Sequence, residues 1–200
     1  MPGEPRIHGW LTHKRCPLLA HQPGRCHAPT VAHRVLGHNL AGTIRRATLR
    51  PVDRTSIFEF AGGEPAFLAL AAAHHQRCLE DPVLNHPFSH PGNPDHVARL
   101  AGYWAEVFGG PPRYSESCGG HSAMLEIHAR TGAGDAFGPR FVACFVQAAE
   151  DARLPEDDEL RNALRSYMTW AVREVLSYSP AEAEVGSGLP TPHWGWSGLE

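Results

Sequence analysis

From Phe67 onward, Phe67, Leu70, Ala71, His74 and Cys78 recur at intervals of three and four residues, the spacing that brings side chains onto one face of an α-helix. Pro65 is tolerated in the first turn of that helix, and Asp81-Pro82 end it. Leu84 and Phe88 follow in a connection, HPFSHPGNP, too rich in proline for a regular helix. A second helix opens with Asn93 as N-cap and Pro94 as first residue. It runs through His96, Val97, Leu100, Trp104 and Phe108 until Gly109-Gly110-Pro111-Pro112 stops it. A third, short helix spans His121 to Ala129 and is followed by the breakers Thr131, Gly132 and Gly134. Phe141 to Ala152 forms a strongly apolar helix broken by Leu154-Pro155. Asp157 or Asp158 then caps a last helix whose Leu160, Leu164, Tyr167, Met168, Ala171, Val172 and Val175 mark one long amphipathic face. No stretch alternates with period two, so the pattern predicts an all-α domain of five unequal helices.

The flanks have a different texture. Residues 1–54 are rich in Pro, Gly, His and Arg without sustained periodicity and read as a disordered basic arm; residues 55–180 hold the helical domain. Residues 181–200 form a Pro/Gly/Trp tail, in which Trp194 and Trp196 are expected to dock, since two bare indoles in water would promote aggregation. Charge divides along the same line. Eight Arg and Lys residues face only Glu4 in residues 1–50, so the remainder carries the acidic excess behind the net charge of -3. A basic arm attracts phosphate, but nucleic-acid contact is disfavoured here, and an overextended start is an equally open account of the arm. Cys16, His21, Cys26 and His27 lack the short spacing of a closed zinc site.

Composition narrows the class further. An apolar share of 42% supports a real core, and no run approaches the ~20 apolar residues of a membrane span. Pro2, Glu4 and Pro5 occupy the place where a signal peptide would have its apolar stretch, so a cytoplasmic protein is expected. Five cysteines, odd in number and scattered, read as reduced thiols rather than a disulfide framework. The glycine pairs are not followed by the Lys-Ser/Thr of a phosphate loop, and no flavin or nicotinamide fingerprint is present.

The chemistry centres on His128. It follows Met124, Leu125 and Ile127 on a short apolar helix, where an imidazole can ligate a metal in a greasy pocket while its other nitrogen finds a backbone acceptor. On these grounds alone, a satisfied core or surface histidine is the competing reading.

Gly62-Gly63 before the first main helix, Gly109-Gly110-Pro111 after the next, and Tyr114-Ser115 with a downstream Gly-His and an isolated histidine resemble group II truncated haemoglobins, especially actinobacterial ones. The resemblance covers Ile57 to Tyr178, and LPTPHWGW resembles tails in that branch. It implies a two-over-two helical sandwich holding haem b, with His128 as the proximal iron ligand. It further implies Phe88 packing on the haem, His96 and Leu100 on the distal helix, His75 over the sixth iron position, and Phe141 opening the helix that borders the pocket. Met124 and Tyr114 belong to the same cofactor-binding set, and Arg130, just past His128, is expected to pair with a propionate. His74, about 100° around the helix from His75, is expected to point elsewhere.

Three positions depart from the family pattern: His75 stands where Tyr is usual, His96 where a small residue is frequent, and Phe141 where Trp is usual. Any hydrogen-bond donor to a bound ligand must then be an imidazole. Either His96 or His75 donates to dioxygen, or one of them coordinates iron and must leave before a ligand enters; the first is favoured. The implied function is binding of dioxygen, nitric oxide or carbon monoxide at ferrous iron. Oxidation of nitric oxide or handling of peroxide is a further option, with His96 and His75 as catalytic groups and an external reductase as partner. The opposing reading is a haem-free helical interaction module using the same scaffold and its basic arm. The sequence leaves a homodimer open.

Overall fold

The computed structural model describes residues 54–89, 95–134 and 136–200; most of the arm lies outside them, as do the expected cap Asn93 and Pro94. Among the described residues there are eight helices and a two-stranded hairpin. The first is α1 (Ile57–Ala61), where the Ser56 hydroxyl accepts from the Glu59 amide at 3.1 Å. Gly62, at φ 112°, ends α1 and leads into α2 (Gly63–Glu80), whose Gly63 also lies at positive φ, 69°. A side chain would be strained at either position, which gives this glycine pair its physical reason. α2 buries Phe67, Leu70, Ala71, His74 and Cys78, the face its spacing predicts.

Next come α3 (Asn85–Ser89) and α4 (His96–Val107), which packs along α2. The second glycine pair closes α4. A Cβ on Gly110 would stand 2.7 Å from the Ala105 carbonyl oxygen and 2.9 Å from the Phe58 ring, too close for any side chain. The Phe58 amide donates to the Phe108 carbonyl at 2.9 Å, so the two glycine motifs meet at one end of the sandwich. α5 (Arg113–Cys118) and α6 (Gly120–His128) follow. α7 (Phe137–Asp151) packs on α2 and on α8 (Asp158–Ser177), completing the expected two-over-two arrangement of α2 and α4 against α7 and α8. Asp157 caps α8 by accepting from the Leu160 amide at 2.8 Å, with Asp158 and Glu159 favourably placed in the first turn.

Aromatic rings knit the core. Phe67 meets Phe108 at 5.6 Å, Phe108 meets Tyr167 at 4.8 Å, and Trp104 meets Phe145 at 4.8 Å. Each such buried side chain contributes ~1.5–3 kcal/mol from burial. The tail docks as expected. Trp194 is buried against Tyr167 and Trp170, and Trp196 donates from its indole to the Thr55 carbonyl at 2.8 Å.

Four expectations need correction. α1, α3 and α5 are additional helices, each too short to display a 3.6-residue period. Pro87 does not exclude α3, and Pro139 lets α7 begin at Phe137 rather than Phe141, because both prolines sit in first turns where no intrahelical N–H is needed. The tail carries two short strands, β1 (Trp194–Gly195) and β2 (Gly198–Leu199), where none was expected. Cys78 and Cys144 are free and buried, whereas Cys118 is disulfide-bonded rather than reduced. Among the described residues, no helix is long and apolar enough to cross a membrane.

Candidate functional site

A cavity of about 350 Å³ opens among α3, α4, α6, α7 and α8. Its wall is mostly apolar and aromatic, with Leu100 and Trp104 from α4, Phe137 and Phe141 from α7, and Tyr167 and Met168 from α8. Pockets of this size and lining hold flat organic ligands by burial and orient them with a few polar groups.

His128 is one of those groups. It ends α6 because Ala129 turns to an extended conformation and Arg130 adopts φ 58°, so the imidazole stands at the helix terminus and lines the cavity. Its Nδ1–H donates to the Met124 carbonyl at 2.8 Å, which fixes the tautomer and leaves Nε2 as the acceptor nitrogen. Burial pushes the imidazole toward its neutral form, the state a metal ligand requires. A backbone acceptor on the second nitrogen is the arrangement that orients an axial histidine.

His96, the first residue of α4, also lines the cavity, and its Nε2 is buried without a hydrogen-bond partner. Burial, with His75, His128 and Arg99 nearby, lowers its pKa to about 4, so at neutral pH it is an uncharged imidazole whose orphaned nitrogen calls for a partner. His75 does not line the cavity. It stands behind the wall, its ring 5.2 Å from His96 and 5.6 Å from Phe88, with Nδ1 also unpartnered and burial lowering its pKa. Of the two histidines expected on the distal side, His96 and not His75 shares the cavity wall with Phe88. His74 points away as expected. It is fully buried, its ring 4.4 Å from Phe141 and 5.4 Å from Trp104, and burial lowers its pKa to about 3.

Of the remaining expected residues, Phe88, Leu100, Met124 and Phe141 line the cavity. Tyr114 does not; it is buried one layer behind, edge-on to Tyr103 at 5.0 Å. Arg130 is turned away from the cavity. It donates to the Ala183 carbonyl at 2.8 Å and pairs with Glu126, because its left-handed backbone directs the side chain toward the tail.

Sequence reasoning missed Arg99, a buried cation of α4 that stands outside the cavity lining, against Tyr114. It is 8% exposed, one helical turn beyond His96, with its guanidinium 5.8 Å above the Tyr114 ring and Nη2 unpartnered. A buried guanidinium with an open donor is costly unless an anion meets it, and a propionate carboxylate would do so. An arginine three residues past a cavity histidine on an apolar helix was the available signal. The donor set thus suits a haem: one neutral imidazole fixed from behind, a second with an orphaned nitrogen, and an apolar slot, with a buried guanidinium one turn past the second imidazole. Among the described residues no three His, Cys, Asp or Glu side chains converge on a metal position, which a macrocycle-held ion does not need.

The bacterial-like globin model matches residues 56–175. Among solved structures, the chain is 25% identical to the haemoglobin of the thermophilic phototrophic bacterium Chloroflexus aurantiacus, with a TM-score of 0.54 over 61% of this chain and 98% of that one. It is 27% identical to the thermostable haemoglobin of the actinobacterium Thermobifida fusca, with a TM-score of 0.51 over 60% of this chain and 96% of the other. The group II truncated haemoglobin of Bacillus anthracis shares the fold at 18% identity and a TM-score of 0.54, over 61% and 91% of the two chains. No curated protein matches the chain.

Proposed function

The chain belongs to the bacterial-like globin family, which implies a haem cofactor, and on that premise we propose that it holds haem b non-covalently through His128 and binds dioxygen or nitric oxide at the ferrous iron. The sequence has no C-x-x-C-H motif for covalent attachment, which supports the b-type haem. The observation that carries the reading is His128 itself, tied at Nδ1 to the Met124 carbonyl and lining an apolar cavity with its ring.

Around that ligand each residue has a physical task. Phe88, Leu100, Met124 and Phe141 line the slot and would keep water from a bound macrocycle, and the buried guanidinium of Arg99 would be the nearby partner for a propionate. His96 donates its Nε2–H to the ligand, where its unpartnered nitrogen gains the bond it lacks. Bound haem supplies an iron that takes up diatomic ligands and exchanges electrons. His75 packs against His96 from behind, its ring 5.2 Å away, and supports that imidazole from outside the cavity. Oxidation of nitric oxide or reduction of peroxide draws on the same groups and on an external reductase.

An absorption spectrum of the purified protein tests this directly. A Soret band that shifts on reduction and again with carbon monoxide is expected, and His128→Ala abolishes it or leaves haem weakly held. A colourless protein that takes up no haemin overturns the reading. If His96 coordinates the iron instead of donating, the ferric protein has a six-coordinate low-spin spectrum that His96→Leu abolishes.

A further inference from the structure

Tyr103, on α4, lines the cavity, and its hydroxyl is engaged by His121, which does not line it. The hydroxyl lies 2.7 Å from Nδ1 of His121 on α6, and Nε2 of that imidazole lies 3.2 Å from Oε1 of Glu174 on α8. Tyr103 and His121 are buried at 5% and 4% exposure, and the Glu174 side chain, 26% exposed, opens the outer end of the chain to solvent. A carboxylate only accepts, so Nε2 carries the imidazole hydrogen, Nδ1 is the acceptor, and the phenol donates to it. The assignment is consistent from Glu174 inward. Tyr167 also lines the cavity, but Tyr103 has an imidazole placed to take its proton.

Burial, with Tyr167 and Glu174 nearby, holds the Tyr103 phenol well above its ordinary range, so it does not ionise on its own. Removing an electron from a phenol makes it a very strong acid. Oxidation therefore becomes accessible when a base takes the proton at the same moment. The geometry separates the two paths: Tyr103 borders the cavity, and its O–H is directed to the base.

We propose that Tyr103 is a redox-active tyrosine, giving one electron through its ring to an oxidised haem in the cavity while its phenolic proton passes to His121. The O–H bond breaks and an N–H bond forms at Nδ1, leaving a neutral phenoxyl, an imidazolium held at Nε2 by Glu174, and a haem one electron more reduced. The oxidant is haem that has reacted with a peroxide. A small reductant of the ascorbate or phenol class returns the electron, and His121 returns the proton. The inference rests on the haem reading above and extends it toward one-electron oxidation of small reductants.

The test uses the full chain, loaded with ferric haem, mixed with hydrogen peroxide and frozen for electron paramagnetic resonance. An organic radical is expected whose hyperfine structure changes when the protein is made with ring-deuterated tyrosine, a measurement that needs no mutation. Tyr103→Phe abolishes this signal. His121→Gln, which keeps an acceptor but cannot hold the proton, slows its appearance about 100-fold, as loss of a positioned general base does. Were the three residues merely a strut joining α4, α6 and α8, the radical would be unaffected. A signal insensitive to deuteration, one undiminished in Tyr103→Phe, or an unchanged rate in His121→Gln overturns the proposal. Absence of a Soret band defeats the haem reading instead. Flash oxidation by a soluble ruthenium photo-oxidant then judges the Tyr103–His121 pair alone: phenoxyl formation slowed in His121→Gln supports it, and equal rates overturn it.

Discussion

The buried histidines make this fold sensitive to acid, and His74 gives the cleanest measure of the effect. Its imidazole is fully buried, packed edge-on against Phe141, and burial lowers its pKa to about 3, whereas an unfolded chain titrates near 6.5. Between those values the unfolded chain binds a proton that the native state refuses, so stability falls as pH falls, by about 1.4 kcal/mol per pH unit for one group. From pH 6.5 to 5, His74 thus removes roughly 2 kcal/mol. His96, lowered to about 4, removes a similar amount over the same window, and His75 and His128 are shifted in the same direction. Urea unfolding at pH 7 and pH 5 reads the sum. The wild type should lose about 4 kcal/mol or more, and His74→Leu, measured in the same ligand state, should lose about 2 kcal/mol less. Equal losses in the two proteins, or a wild type that gains stability in acid, would show that buried neutral histidines do not set the acid sensitivity of the fold.

Three other perturbations have defined outcomes. His96→Leu should keep haem and raise the dioxygen dissociation rate roughly 10- to 100-fold, the equivalent of a ~1.5–3 kcal/mol hydrogen bond, in stopped-flow measurements; an unchanged rate removes His96 from the ligand's surroundings. Arg99→Leu should speed haem transfer to an apo-globin acceptor without shifting the carbon monoxide spectrum, since it acts on a propionate and not on iron. Gly110→Ala should lower stability by about 1–3 kcal/mol in urea unfolding, because its Cβ meets the Ala105 carbonyl oxygen at 2.7 Å and backbone cannot yield cheaply.

The long helices were legible because burial leaves a periodic trace. α2 buries the residues its spacing marks, α8 buries Leu160, Leu164, Tyr167 and Met168 and turns the rest of its marked face to the cavity, and α6 ends at the histidine the breakers point to. The short helices α1, α3 and α5 were not, since five or six residues cannot show a period. Phe88, Leu100, Met124, His128 and Phe141 all line the cavity. Arg130 does not, because charge and proximity in sequence say nothing about a left-handed residue that turns its guanidinium toward Ala183.

By its spacing the sequence determined what is local: where the long helices run and stop, and which histidine ends a short apolar helix. Each follows from interactions within a few residues of chain. The tertiary structure decided which side chains share one enclosed space. It placed His96 rather than His75 in the wall, turned Arg130 toward the tail, and joined Tyr103 to His121 and Glu174 across eighteen and fifty-three residues of sequence. Those outcomes depend on how helices cross and on the cost of burying a polar atom without a partner, and neither quantity is written in the spacing of residues along a chain.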